Sequence, residues 1–259
     1  MSVLLSIVVE GVTGVTQLAD VVYIVFQLSS TIRRFSATTH QRLTDIDAKG
    51  VSDPWDIAAC ERMSQLYVAD DWQCVWRVSP GGAHIKRWLP KSPSDTLGRL
   101  TLSVTSSRLL VTSRDDKQLI HLDAGGDELR RVPLPDYMNP RHAVESPSGT
   151  FILSHVNTQL DQPQVSEVNT EGQVLRQFSG SLGESLHIAA DSHGNIIVAD
   201  VLYRHILLLD AKLALRRIII DEHQLNDTQP RRLCYMEQSG QLLVGLVDNS
   251  VAVFDLLRR

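Results

Sequence analysis

Six short apolar segments decide how this chain is read: Val21-Val-Tyr-Ile-Val25, Gln65-Leu-Tyr-Val-Ala69, Arg108-Leu-Leu-Val-Thr112, Thr150-Phe-Ile-Leu-Ser154, Asn195-Ile-Ile-Val-Ala199 and Gln241-Leu-Leu-Val-Gly245. Most are rich in β-branched and large apolar residues and all are too short for a helix, so each reads as a buried strand. With Val22, Leu66, Leu109, Phe151, Ile196 and Leu242 taken as equivalent, the steps are 44, 43, 42, 45 and 46 residues. Scattered strands would not keep that interval, whereas one supersecondary unit repeated six times would.

The neighbours of each segment repeat with it. A strand often marked by proline precedes it, as in Pro54-Trp-Asp-Ile-Ala58, Pro140-Arg-His-Ala-Val144 and Pro230-Arg-Arg-Leu-Cys234. Proline has no backbone donor and suits the start of a strand. Turn chemistry such as Ser146-Pro-Ser-Gly149 and Asp191-Ser-His-Gly-Asn195 joins the two strands. A third strand follows, as in Cys74-Val-Trp-Arg-Val78 and His205-Ile-Leu-Leu-Leu209, then a glycine turn and a fourth, as in Asp123-Ala-Gly-Gly126 before Glu128 to Leu134. Four strands per repeat at this interval predict an all-β, six-bladed β-propeller of four-stranded antiparallel blades. The expected blades are residues 11–50, 51–95, 96–138, 139–182, 183–228, and 229–259 plus 1–10, in a single domain. The last repeat stops after its third strand, so Val3 to Val9 is expected to complete it and cover its edge. A β-sandwich or β-helix would not repeat four strands six times. Asp221 to Asn226 reads as a short turn between blades.

Composition limits the function classes. With 259 residues, 43% of them hydrophobic and 21% charged, the chain can bury a large core. A formal charge of −5 argues against a surface that tracks phosphates throughout. Cys60, Cys74 and Cys234 follow no metal or redox spacing and read as reduced core residues, which favours a cytoplasmic setting. The apolar start, Met1 to Glu10, lacks a basic leading region and a small-residue cleavage site, and Glu10 and Asp20 interrupt the most hydrophobic stretch; no membrane span is expected. Asn226-Asp227-Thr228 matches a glycosylation triplet that arises often by chance.

Ile188-Ala-Ala-Asp191-Ser-His-Gly194-Asn-Ile-Ile-Val-Ala-Asp200 with Arg204-His205-Ile206 resembles the NHL repeat, and so does Ile57-Ala-Ala59 with Leu66-Tyr-Val-Ala-Asp70. The resemblance extends over the chain but departs in blades one, three and four, where Phe26, Ser113 and His155 replace the aspartate ending the second strand. The chain has neither the Gly-His to Trp-Asp signature of WD40 blades nor a glycine pair repeated consistently from blade to blade as in kelch. The resemblance implies a protein-binding or RNA-binding platform, as at the end of tripartite-motif chains, while a related lyase uses a metal-bearing propeller. A fold with so many tasks does not choose among them.

Candidate residues come from the leading ends of the inner strands and the loops joining second to third strands, which share one propeller face. Alignment puts Thr13, Asp56, Arg99, His142, His187 and Arg232 at the inner-strand starts, preceded by Trp55, Arg141 and Arg231. The loops add Asp70, Asp71, Trp72, Arg114, Asp115, Lys117, His155, Asn157, Asp200, Tyr203, Arg204, Asp248 and Asn249. Arginine, tryptophan and tyrosine concentrate binding energy. Trp55, Asp56, Trp72, Arg99, Arg114, Arg141, His142, His187, Tyr203, Arg204, Arg231 and Arg232 are therefore the expected partner-binding face, although polar loops and rim arginines also occur for solvation alone.

The expected function is a non-catalytic binding or scaffold module that takes a protein or peptide, needs no cofactor and is a monomer. RNA is an alternative, with arginines on phosphates and Trp55, Trp72 or Tyr203 stacked on bases, but the face mixes signs. A metal-dependent lyase or hydrolase is a second alternative, with His142 and His187 in adjacent blades and His155 or His205 nearby; no ligand spacing enforces it. There is no G-x-S-x-G elbow, and Gly81-Gly82 and Gly125-Gly126 read as hairpin turns rather than phosphate loops.

Overall fold

The computed structural model describes residues 2–3, 11–70, 74–89, 100–105 and 108–256. Strand β1 (Ser2–Val3) is followed by blade one, β2 (Val12–Leu18), β3 (Val21–Phe26), β4 (Thr31–Ser36) and β5 (Ile46–Asp47), and blade two, β6 (Pro54–Cys60), β7 (Gln65–Asp70), β8 (Cys74–Val78) and β9 (Ile85–Leu89). Blade three is β10 (Leu100–Thr105), β11 (Arg108–Ser113), β12 (Gln118–Leu122) and β13 (Glu128–Pro133). Blade four is β14 (Met138–Glu145), β15 (Phe151–Asn157), β16 (Gln162–Val168) and β17 (Val174–Gln177). Blade five is β18 (Ser185–Ala190), β19 (Ile196–Asp200), β20 (His205–Leu209) and β21 (Leu215–Ile220), and blade six is β22 (Pro230–Met236), β23 (Gln241–Leu246) and β24 (Val251–Asp255).

Each of the first five blades is a four-stranded sheet in chain order, and the sixth runs β1-β24-β23-β22. The last blade thus gains its fourth strand from the N-terminus, with Ser2 opposite Val253 and Val3 opposite Ala252, antiparallel. The rest of the expected closing segment, 4–9, lies outside the described residues. Among the described residues there is no helix, so none is long and apolar enough to cross a membrane. Residues 222–227 form the turn expected between blades five and six.

The chain divides into two compact units, Val9–Arg131 and Met1–Val8 with Val132–Arg259. In Val9–Arg131 the core lies between successive blades. Tyr23, Val25, Ile57, Leu66 and Val68 join blades one and two, and Tyr67, Trp88, Leu102, Val111 and Ile120 join blades two and three. In the other unit Val144, Ile152, Ile188, Val198 and Leu207 join blades four and five, and Ile197, Ile206, Leu233, Val244 and Phe254 join five and six. The second strands are buried on both faces, which is why they read as continuous apolar runs; Ile196 to Asp200 is buried at every position.

Gly14 is fixed by this packing. A Cβ there would stand 2.7 Å from the Ile57 nitrogen and 2.8 Å from Val25 Cγ2, so only glycine lets β2 approach β6 this closely. None of Cys60, Cys74 and Cys234 is in a disulfide, as expected.

Candidate functional site

Five of the six inner strands carry a β-bulge at the same place. The register slips between Val12 and Gly14, Pro54 and Asp56, Pro140 and His142, Ser185 and His187, and Pro230 and Arg232. A bulge leaves one extra residue outside the ladder and redirects its side chain. That residue is Thr13, Trp55, Arg141, Leu186 or Arg231. Trp55, Arg141 and Arg231 are each partly exposed, so the bulges present a tryptophan in Val9–Arg131 and two arginines in the other unit.

The residue after each bulge turns inward and faces the second half of the second strand: Gly14 opposite Val25, Asp56 opposite Ala69, His142 opposite Ser154, His187 opposite Ala199 and Arg232 opposite Gly245. In blade three, where the described inner strand Leu100–Thr105 pairs without a register shift, Thr101 opposite Thr112 takes this place. Alignment of residue types had put Thr13 at this place in blade one. A bulge shifts the register by one residue without changing composition, so sequence spacing misses it. Arg99, Trp72 and Asp71 lie outside the described residues.

These inward side chains are buried, with Asp56 1%, His142 2%, His187 7% and Arg232 3% exposed, so they stand beneath the surface rather than on it. They join blade to blade within a unit. Asp56 accepts the Leu102 N–H at 2.8 Å, and its other carboxylate oxygen accepts the Ile57 N–H at 2.9 Å. His187 Nδ1 accepts the Leu233 N–H at 3.4 Å, which puts the ring proton on Nε2. Thr13, in its bulge, donates to the Pro54 carbonyl at 2.6 Å.

His142 and His187 stack, their ring centroids 3.7 Å apart and their planes 25° apart. Burial, reinforced by the neighbouring His142 and Arg232, holds His187 well below the usual histidine range, so it is neutral at physiological pH. Two imidazoles side by side, His187 neutral, are of the donor type that binds zinc, while the adjacent Arg232 opposes a cation. Burial also lowers Arg231 from the usual arginine range.

In blades two and five an aspartate opposite the start of the bulge holds the neighbouring chain. Asp200 is fully buried and accepts N–H groups from Gly183 at 2.9 Å, Glu184 at 3.4 Å and Tyr203 at 3.1 Å, with His205 Nε2 3.6 Å away. Asp70 does the same in blade two, accepting from Ser52, Asp53 and the Trp76 indole. Both aspartates are staples for the chain entering their own blade, not part of the exposed face. His155 occupies this place in blade four, fully buried and 2.8 Å from the Ser166 hydroxyl; burial lowers it to about 4. Among the described residues, neither His155 nor His205 groups with the stacked pair as a further metal ligand.

The exposed part of the face in blades four to six comes from loop tips that residue typing passed over. Leu160, Leu202 and Val247 are 58%, 60% and 44% exposed, beside the expected Tyr203 at 51%. Arg204 is exposed with φ of 53°, ending its loop in the left-handed region just before β20. The sequence signal was available: each is an apolar residue inside a polar loop. In Val9–Arg131, Arg114 is partly exposed on the loop after β11.

No family model matches the chain, and no curated protein matches it. Solved structures do. A catalytically inactive variant of virginiamycin B lyase from Staphylococcus aureus, with quinupristin, is similar at 12% identity and TM-score 0.68 over 96% of this chain and 82% of that one. A chain of the nidogen–laminin complex gives 14% identity and TM-score 0.68 over 86% and 84% of the two chains. The WD40 β-propeller domain of Doa1 gives 15% identity and TM-score 0.64 over 95% and 93%. The likeness is one of architecture: the chain is an all-β propeller of six four-stranded blades.

Proposed function

We propose that this chain is an NHL-like propeller that binds a protein or peptide and has no catalytic role of its own, and that blades four to six supply the docking surface. One observation carries the reading: Leu202 and Tyr203 are exposed on a loop that the buried Asp200 carboxylate clamps through the Tyr203 N–H. Large side chains held on a rigid loop lose little conformational freedom on binding and make efficient anchors. Leu160 and Val247 are likewise exposed on the matching loops of the adjacent blades, and Arg204 follows Tyr203 in the chain. Asp70 and Asp200, each stapling its blade's incoming chain, support the NHL kinship. The nidogen–laminin chain is a precedent for a propeller-like chain within a protein complex.

The test is selection from a random linear-peptide display library on the purified protein, with the double variant Leu202→Ser, Tyr203→Ser as comparison. Selected peptides are expected to bind the variant about ten-fold more weakly, the size of a lost anchor. Peptides that bind both proteins equally, or no enrichment at all, would remove this face from consideration.

A second reading, metal-dependent catalysis, is favoured by the stacked His142–His187 pair and by the likeness to a lyase. Elemental analysis separates the two: stoichiometric divalent metal in protein purified without chelator would support it, and metal-free folded protein would dispose of it.

A further inference from the structure

We infer that the segment docking on blades four to six is acidic, with carboxylates received by Arg141 and Arg231. The inference rests on the docking reading above and adds the chemistry of the partner. Three consecutive inner strands place a bulge residue at the same register, and in chain order these residues are Arg141, Leu186 and Arg231. The two arginines therefore project from equivalent points of two blades, with one blade between them. Each is only partly exposed. The pair beneath them, His142 and His187, has at least one neutral member, and Arg232 is a further buried cation. Within blades four to six the two bulge arginines are thus underlain by one more arginine, Arg232, and a neutral imidazole.

Burial weakens the hydration of a guanidinium and leaves it better matched to a carboxylate, which it can hold through two parallel N–H donors. The lowered pKa of Arg231 reports that loss of water. The outer loops carry the opposite sign, with Asp161 and Asp248 exposed next to Leu160 and Val247. An acidic partner is repelled at this rim and accepted at the centre, so the pattern fixes where its carboxylates sit. Leu160, Leu202, Tyr203 and Val247 also require apolar side chains from the occupant. A polypeptide offers both; a polyphosphate backbone offers only the charge.

Peptides from the same display selection serve as the probe. Each is resynthesised with Asn and Gln in place of Asp and Glu and measured by fluorescence anisotropy against the unmodified protein, Arg231→Gln, Arg141→Gln and Arg231→Lys. Selected sequences should be enriched in Asp and Glu, and the neutral isosteres should bind about ten-fold more weakly, the scale of one charge-assisted pair. Arg231→Gln and Arg141→Gln should lose a similar factor, and Arg231→Lys should keep part of it. The isostere comparison uses the unmodified protein, so it stands even if an arginine variant fails to fold. Isosteres that bind equally well, in peptides still weakened by Leu202→Ser, Tyr203→Ser, would overturn the acidic partner and leave the docking reading intact. Peptides indifferent to every variant would overturn both. Displacement of the peptides by a single-stranded oligonucleotide, with affinity falling steeply in salt, would overturn the polypeptide occupant in favour of nucleic acid.

Discussion

Asp200 shows what one residue contributes when its neighbours depend on it. Its fully buried carboxylate accepts three backbone N–H groups from the two chain segments that meet at the end of its blade. Asp200→Ala should lower unfolding free energy by about 2–4 kcal/mol in urea denaturation, and Asp200→Asn by less, since one amide oxygen still accepts. The same substitution should free the Leu202–Tyr203 loop and raise its hydrogen exchange. In blade four, His155 replaces this aspartate and brings a pH dependence. Burial lowers it to about 4 from a usual 6.5, so the native state keeps it neutral where the unfolded chain takes up a proton. The folded pKa lies below the unfolded one for a base, so stability is complete above about pH 6.5 and is lost as pH falls toward 4. The loss at pH 5 should be roughly 2 kcal/mol, visible as a lower urea midpoint, and His155→Gln should remove that part of it. His187 is lowered in the same direction and adds to the slope. That Asp70 and Asp200 are alike was legible in the sequence. That their role is to staple their own blades was not, because it depends on backbone N–H groups 16 to 18 residues away in the chain.

At the scale of strands, the sequence displayed what burial on both faces imposes and concealed what register imposes. The second strands were legible because burial leaves no room for polar residues in them. The outer strands are short and mostly exposed, as in Val174–Gln177, and so carry little pattern. The bulges were invisible: Pro54, Pro140 and Pro230 marked where they occur, but only the pairing shows that the extra residues are Trp55, Arg141 and Arg231. For this reason Gly14 had no role in the sequence and a definite one in the structure. Gly14→Ala places a Cβ 2.7 Å from the Ile57 backbone nitrogen, which cannot move without displacing β6. The variant should lose about 1–3 kcal/mol of stability, the usual range for overpacking. Gly81, where an added Cβ meets nothing within 4 Å, is the control. Gly81→Ala should be neutral or slightly stabilising through the unfolded chain, by up to about 1 kcal/mol. Thermal melts of the two variants side by side distinguish packing from a general intolerance of substitution in Val9–Arg131.

For the whole molecule, the decisive pairing is the one that joins the two ends of the chain in blade six. Without β1, strand β24 would be the edge of its sheet, and Val251, Ala252, Val253 and Phe254 form an apolar run. An unpaired edge of that composition is a template for another chain. Proline at position 3 cannot donate a backbone hydrogen bond across the Val3–Ala252 pairing. Val3→Pro should therefore speed hydrogen exchange through β24 and its neighbour β23, and produce association that grows with protein concentration in light scattering. Tryptophan emission would be a poor monitor, because Trp55, Trp72, Trp76 and Trp88 all belong to Val9–Arg131, the other unit. Peptide-resolved exchange reads the strands directly. Unchanged exchange in Val251–Asp255, with scattering like that of the parent protein, would mean that the N-terminal strand adds nothing to the last blade and that its edge is protected by other means.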